Sequence, residues 1–437
     1  MITPNQTLVQ VLGPAVIASP LQLAHRSGQG PGAFVPDEAR VRYQIETATG
    51  QDLPGDIFFE KAGPRETLFF EPRQTKAAII TCGGVCPGLN NVVRSAVMEF
   101  YYHYGVRQVY GIRYGYAGLN PRIGLPPIEL TPKSVSDIHE KGGTILGSSR
   151  GQQPSDIMAE FLLEQKINIL LCVGGDGTLR GAQDVANEVQ RRGLNLAVIG
   201  IPKTIDNDVM YMTRTFGMAT AMETAHKILD CAHSEARSAY NGVGLVKLMG
   251  RDAGFIAAGA TLASQEVNFC LIPEVPFVLE GTNGFLEVLR RRLESARHAV
   301  VAVAEGAGQD LIRDLPLETD ASGNRRYADI GLYLKEQIVN YFRQANIPAD
   351  VKYFDPSYFV RSVPANCEDA LLCDLLARNA VHAGMAGKTN LVVGFLNGAF
   401  THIPISLAVS EKKHVDPQGL LWSSVLATTG QPKQWIN

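Results

Sequence analysis

From residue 77 onward the chain alternates between short, unbroken apolar runs and longer stretches with helical spacing. The apolar runs lie at 77–81, 169–173, 196–201, 243–248, 269–272, 299–304 and 391–395. Continuous runs of this length suit strands buried on both faces, as in a parallel sheet. Helices are expected at 89–104, 156–165, 178–192, 218–234, 282–297, 331–344 and 368–383. Alternation of this kind predicts an α/β fold. At 437 residues the length sets a prior of two or three domains; two doubly wound, Rossmann-like ones with mostly parallel sheets are expected. Residues 1–75 lack the rhythm and are rich in proline and glycine, with Pro14, Pro20, Pro31, Pro36, Pro54 and Pro64 among them. They read as an N-terminal extension, partly extended, that packs on the main body or on a neighbour. The expected division is an extension at 1–75, α/β domains at 76–210 and 211–400, and a C-terminal extension at 401–437. Later segments have room to return to the first domain.

Composition narrows the partners. Apolar residues make up 45% and charged residues 19%, which excludes disorder as the main character. With 40 Lys+Arg against 43 Asp+Glu the net charge is −3, which argues against broad electrostatic binding of nucleic acid. The cysteines, at 82, 86, 172, 231, 270, 367 and 373, form no CxxC pair. Cys82, Cys172 and Cys270 lie in or beside apolar runs and read as buried thiols. No apolar stretch reaches the ~18 residues of a membrane span, and no secretory signal is evident. A reduced, cytoplasmic protein is expected. Glycine, at 43 residues, is in excess and suggests close approach of backbone to a ligand.

Nearly every apolar run ends in glycine or a polar cluster. Ligands bind beyond the carboxyl ends of strands in doubly wound sheets, so these clusters are the candidate site. Gly174-Gly175-Asp176-Gly177-Thr178 reads as strand, glycine turn and helix start. Its backbone amides and the helix N-terminus suit a phosphate. An aspartate there repels an anion unless a magnesium ion bridges the two. In Lys203-Thr204-Ile205-Asp206-Asn207-Asp208 an extended backbone would put Thr204, Asp206 and Asp208 on one face, and one carboxylate could take a proton from a hydroxyl nucleophile. Gly83-Gly84-Val85-Cys86-Pro87-Gly88-Leu89-Asn90 has the same phosphate-cradling logic without being a P-loop. Gly147-Ser148-Ser149-Arg150-Gly151 offers an arginine beside small residues.

Together with Gly115-Tyr116-Ala117-Gly118-Leu119, Met249-Gly250-Arg251, Pro273-Glu274 and the 358–361 segment, these motifs stand in the order found in the phosphofructokinase family, which the chain resembles over about 77–410. It is most similar to the subgroup of plant and trypanosomal ATP-dependent enzymes, on residues 202–208, 245–255 and 355–358. The resemblance implies phosphorylation of fructose 6-phosphate at its 1-hydroxyl, with Mg²⁺ and with ATP as donor. It implies that 76–210 binds ATP and magnesium and that 211–400 binds the sugar phosphate. Asp206 matches the catalytic base and Asp176 the magnesium ligand. Thr204 and Asp208 match residues flanking the transferred phosphoryl group. Gly84, Arg150, Gly151, Gly175, Gly177 and Thr178 match nucleotide-phosphate contacts, with Lys203 able to pair with either donor's phosphates. Ile205, Met249, Gly250 and Arg251 match sugar or phosphoryl contacts. Glu274 matches a carboxylate on a sugar hydroxyl, and Glu305 is a further sugar-contact candidate. Lys352, Tyr358 and Arg361 fall where the family binds the 6-phosphate. Many bacterial members have arginine and histidine at the positions of Lys352 and Tyr358, and a further arginine near position 242, where this chain has Gly242. A homotetramer with allosteric control is implied, a homodimer being the alternative.

The donor turns on position 177. Pyrophosphate-using relatives usually carry aspartate there together with lysine at 203. An aspartate would occupy and repel the space of the ATP α-phosphate, and glycine leaves it open. Gly177 with Lys203 is the mixed pattern of the ATP-dependent subgroup, with pyrophosphate dependence as the alternative. Lipid- or NAD-kinase-like enzymes also use GGDGT but lack the 202–208 and 249–251 elements. A non-catalytic sugar-phosphate sensor would not need Asp176 and Asp206.

Overall fold

The computed structural model describes residues 2–25, 32–46, 57–123, 125–312, 319 and 327–435; Pro31 and Pro54 lie outside them. The chain divides into two compact units, the first made of Met1–Thr204, Val209–Gly217 and Val363–Glu411, the second of Ile205–Asp208, Met218–Ser362 and Lys412–Asn437.

The first unit is built on β1 (Lys76–Thr81), α1 (Leu89–Met98), β2 (Gln108–Ile112), α2 (Ser155–Glu164), β3 (Ile169–Gly174), α3 (Asp176–Arg191) and β4 (Ala197–Pro202). Every residue of β3 and β4 is buried, as their unbroken apolar runs predict. Leu179, Ala182, Val185, Ala186 and Val189 of α3 recur at helical spacing and bury against this sheet. Each fully buried Ile or Leu contributes about 1.5–3 kcal/mol, so the points from which the loops spring are firmly specified.

The second unit holds α4 (Met218–Ser238), β5 (Gly242–Leu248), α5 (Phe255–Ser264), β6 (Phe269–Leu271), α6 (Phe285–Ala296), β7 (His298–Ala304), α7 (Ile330–Gln344) and β8 (Asp350–Phe354). Its four-stranded sheet, in the order β6-β7-β5-β8, is wholly parallel. Leu245, Val301 and Leu271 pack with Phe285, Leu334 and Trp435 in its core.

The chain then returns to the first unit with α8 (Cys367–Met385), β9 (Leu391–Leu396) and β10 (Ala399–Pro404). The large sheet there runs β10-β9-β4-β3-β1-β2, with β9 through β2 parallel and β10 antiparallel. Two strands of the N-terminal region, Arg40–Arg42 and Phe58–Lys61, extend it beyond β10. The segment after residue 411 belongs to the second unit and carries α9 (Leu420–Thr429). The expected fold class, doubly wound α/β with mostly parallel sheets, is met. Cys82, Cys172 and Cys270 are buried thiols.

Candidate active site

In the first unit the strand order β2-β1-β3-β4 reverses direction between β1 and β3, the topological switch point where such sheets take their ligands. The loops that leave these two strands are Gly83-Gly84 and Gly175-Asp176. The Gly83 amide donates to the Ser149 carbonyl at 3.0 Å, and Ser148 Oγ donates to the Gly83 carbonyl at 2.5 Å. Lys203 Nζ donates to the Gly84 carbonyl at 2.8 Å, and the Lys203 amide donates to Gly174 at 2.9 Å. Four segments singled out from sequence therefore converge, and Lys203, only 7% exposed, joins two glycine loops. Arg150 is exposed and Gly151 half-buried at the rim of this loop cluster.

The glycines of the 174–178 motif differ in what requires them. A Cβ on Gly174 would fall 2.1 Å from Thr178 Oγ1, whereas one on Gly177 would meet nothing within 4 Å. Position 174 is glycine for packing. Position 177 is glycine although the folded chain leaves room for a side chain. Thr178 is buried with its hydroxyl turned toward the Cys82 thiol. Asp176 opens α3, 26% exposed, and accepts from Arg180 Nε at 3.0 Å. Among the described residues no group of three or more His, Cys, Asp or Glu side chains could hold a metal. Mg²⁺ is commonly held by one or two carboxylates, its other ligands being water and substrate phosphates. A single carboxylate at a helix start beside glycine loops fits that arrangement.

In the second unit the candidates sit at strand ends. The Leu248–Ala304 pairing brings the Met249-Gly250-Arg251 turn beside Glu305. The Glu305 amide donates to Leu248 at 2.9 Å, and the Gly306 amide to Gly250 at 3.0 Å. Gly250 has φ +135°, a conformation that glycine adopts without steric cost. The Ile205–Asp208 segment is not extended. Asn207 lies in the left-handed region, at φ +55°, so the expected alternation of Thr204, Asp206 and Asp208 on one face is broken. Asp206 meets the Arg251 backbone amide, and Asp208 is held by Lys412 Nζ at 2.6 Å. Ile205 is buried. Thr204, which ends the first segment of the first unit, accepts at its carbonyl from Thr215 Oγ1 at 2.6 Å.

Burial raises the Asp206 carboxyl to about 7, with the Asp208 and Glu305 carboxylates adding to the shift and Lys412 opposing it. Burial also raises Glu305, against the pull of Arg251, Lys247 and Arg361. A desolvated carboxylate poised near neutrality is suited to general-base work. Glu274 accepts from the Gly254 amide at 2.9 Å and the Val415 amide at 2.8 Å, so it braces the start of α5. The Arg361 guanidinium lies over the Tyr358 ring, 4.9 Å from its centroid, and its buried Nε has no hydrogen-bond partner among the described residues. Tyr358 is largely exposed.

Lys352 is held by a different partner. It lies within β8, opposite Gly244, and its Nζ turns to Asp350 at 3.1 Å. Gly242 opens β5, and a Cβ there would sit 2.1 Å from the Ala236 carbonyl oxygen, so no arginine fits this position. Lys247, which sequence reading passed over, bridges Asp329 at 2.7 Å and Asp355 at 2.8 Å. Lys412 and Lys413 were also passed over, because nothing near them in the chain forms a motif.

Glycine loops at the topological switch point of a parallel sheet are a feature of α/β proteins that take phosphate-bearing ligands. The family model described as phosphofructokinase matches residues 76–384, and the chain belongs to the phosphofructokinase family. It is 49% identical over 413 residues to the ATP-dependent 6-phosphofructokinase of Borreliella burgdorferi, covering 93% of this chain and 92% of that one. It is 45% identical over 398 residues to the chloroplastic ATP-dependent 6-phosphofructokinase 5 of Arabidopsis thaliana, covering 90% and 74%. The ATP-dependent enzyme of Amycolatopsis methanolica is 46% identical over 383 residues, covering 86% and 83%. Among solved structures, the pyrophosphate-dependent phosphofructokinase of Marinobacter aquaeolei matches with a TM-score of 0.67 at 20% identity, over 81% of this chain and 91% of that one. That likeness concerns the fold.

Proposed function

We propose that this chain is an ATP-dependent 6-phosphofructokinase, transferring the γ-phosphoryl group of ATP to the 1-hydroxyl of fructose 6-phosphate to give fructose 1,6-bisphosphate and ADP. The observation that carries this reading is the 49% identity over 413 residues to an enzyme of that name. The open space beside Gly177 supports ATP over pyrophosphate. The test is coupled detection of fructose 1,6-bisphosphate with each donor; faster turnover with pyrophosphate would overturn the donor assignment.

Asp206 takes the proton of the 1-hydroxyl as it attacks. Thr204, Asp208 and Arg251 are assigned to the reacting groups, and Met249, Gly250 and Ile205 to the sugar together with Glu274 and Glu305. Gly84, Arg150, Gly151, Gly175, Gly177, Thr178 and Lys203 form the nucleotide-phosphate cradle, in which positioning and charge neutralisation do most of the catalysis. Asp176 would hold Mg²⁺, which when bound neutralises charge on the donor's phosphates. The 6-phosphate is assigned to Lys352, Tyr358 and Arg361, in a cytoplasmic homotetramer under allosteric control. No helix among the described residues is long and apolar enough to cross a membrane.

Two substitutions test the ligands. Asp176→Ala is expected to abolish magnesium-dependent turnover while leaving the fold intact, because an exposed ion pair contributes only ~0–1 kcal/mol. Magnesium titration of activity beside a urea melt checks both halves, and an unchanged magnesium dependence would move the metal elsewhere. Arg361→Ala removes a charge-assisted phosphate contact that contributes ~1.5–3 kcal/mol. It should raise KM for fructose 6-phosphate by roughly 10- to 150-fold, with little change in KM for ATP. Loss of ATP affinity instead would show that Arg361 faces the other ligand.

A further inference from the structure

Four consecutive residues, 412–415, tie together three loops of the second unit. Lys412 Nζ donates to Asp208 Oδ2 at 2.6 Å, and the Lys413 amide donates to the Asp208 carbonyl at 2.9 Å. His414 Nδ1 lies 2.8 Å from the carbonyl oxygen of Asp252, the neighbour of Arg251. The Val415 amide donates to Glu274 Oε1 at 2.8 Å. Asp208 is thus gripped at side chain and main chain by adjacent residues of one segment. Its carboxylate is 11% exposed against 31% for the Lys412 side chain. A carboxylate so desolvated depends on its cation for compensation.

We propose that residues 412–415 form a strap across the sugar side of the site and that Lys412 is a positioning residue in it: by clamping Asp208, it governs the protonation of Asp206. The inference rests on the reading of Asp206 as the base. Asp206 faces the carboxylates of Asp208 and Glu305, which disfavour a further negative charge, and the Arg251 amide and Lys412, which favour it. Lys413 also faces Asp208, but burial pulls its ammonium down to about 8, and it is Lys412 Nζ that makes the direct contact with the Asp208 carboxylate. Without that charge, the Asp206–Asp208 pair binds its protons more tightly.

The experiment is the pH dependence of kcat/KM for fructose 6-phosphate at saturating ATP, which reports groups of the ATP-bound enzyme before the sugar phosphate binds. The full chain is compared with Lys412→Met and Lys412→Arg. Lys412→Met is expected to move the acid limb up by about one pH unit, as loss of an opposite charge at this range does. Activity then falls ~10-fold at pH 6 and far less at pH 9. Lys412→Arg should return the limb to its wild-type position. Where Lys412→Met does not fold, Lys412→Gln, which keeps a hydrogen bond to Asp208 without the charge, carries the same expectation. Asp208→Asn should move the limb the other way. A folded Lys412→Met or Lys412→Gln protein whose acid limb stays put or moves down overturns the proposal. An acid limb that persists in Asp206→Asn would instead overturn the reading of the base itself.

Discussion

Asp206→Asn is expected to cut kcat by ~10²–10⁴ with a smaller effect on fructose 6-phosphate binding, as the loss of a general base does. The same substitution should remove the acid limb of the pH profile. With its carboxyl raised to about 7, Asp206 is a competent base only above that pH, so wild-type activity should rise as pH passes through neutrality and then level off. Stability should move in the opposite sense. The folded state holds this proton to higher pH than the unfolded chain, whose aspartate titrates near 3.8. The favourable contribution is full below about pH 4 and is lost as pH rises through about 7. At pH 8 the wild-type fold therefore carries a buried charge that asparagine removes. Asp206→Asn should be more stable than wild type there, and by more than at pH 5, because the wild-type carboxylate is then both charged and buried. Urea melts at pH 5 and pH 8 measure this. Near-normal kcat in a folded Asp206→Asn protein would sink the assignment. Equal stabilisation at both pH values would sink its electrostatic explanation.

The parallel strands were legible because burial on both faces demands unbroken apolar runs. Of the runs predicted from that pattern, 169–173 falls within β3, and 196–201 starts one residue before β4 and otherwise falls within it. β8 escaped the same rule: its sequence, Asp350-Val351-Lys352-Tyr353-Phe354, edges the smaller sheet and is only partly buried throughout. Room for later segments to return to the first domain was foreseen, but that β9 and β10 are the strands that do so was not readable, since a strand's neighbours are set by long-range packing. The glycine and acid clusters were readable because their chemistry requires particular residue types at fixed spacing. Their local geometry was less so. The left-handed Asn207 overrides the alternation that an extended reading implies, although asparagine tolerates that region better than most residues. Lys412 had no local signal. Its importance comes from a contact across 204 positions, which no spacing rule encodes.

Gly177→Asp should separate the two phosphoryl donors more sharply than any other single change. The substitution is tolerable in the fold itself: a side chain at 177 meets nothing within 4 Å. An acid in the first turn of α3 also complements the helix dipole. What the carboxylate would meet is the ligand. Like charges at ~4 Å with an effective dielectric of ~20 repel by ~4 kcal/mol, before any steric term, which is up to ~10³-fold in kcat/KM for ATP. Pyrophosphate has no α-phosphate bearing a nucleoside, so it should suffer far less. It could even become a usable donor, because Lys203 is already held between the Gly84 and Gly174 loops. The measurement is kcat/KM for both donors in wild type and variant, with a urea melt to verify the fold. An equal loss with both donors would leave the enzyme's activity standing but remove the steric and electrostatic account of position 177. Unimpaired use of ATP by the variant would show that the space beside Gly177 is not where the nucleotide lies.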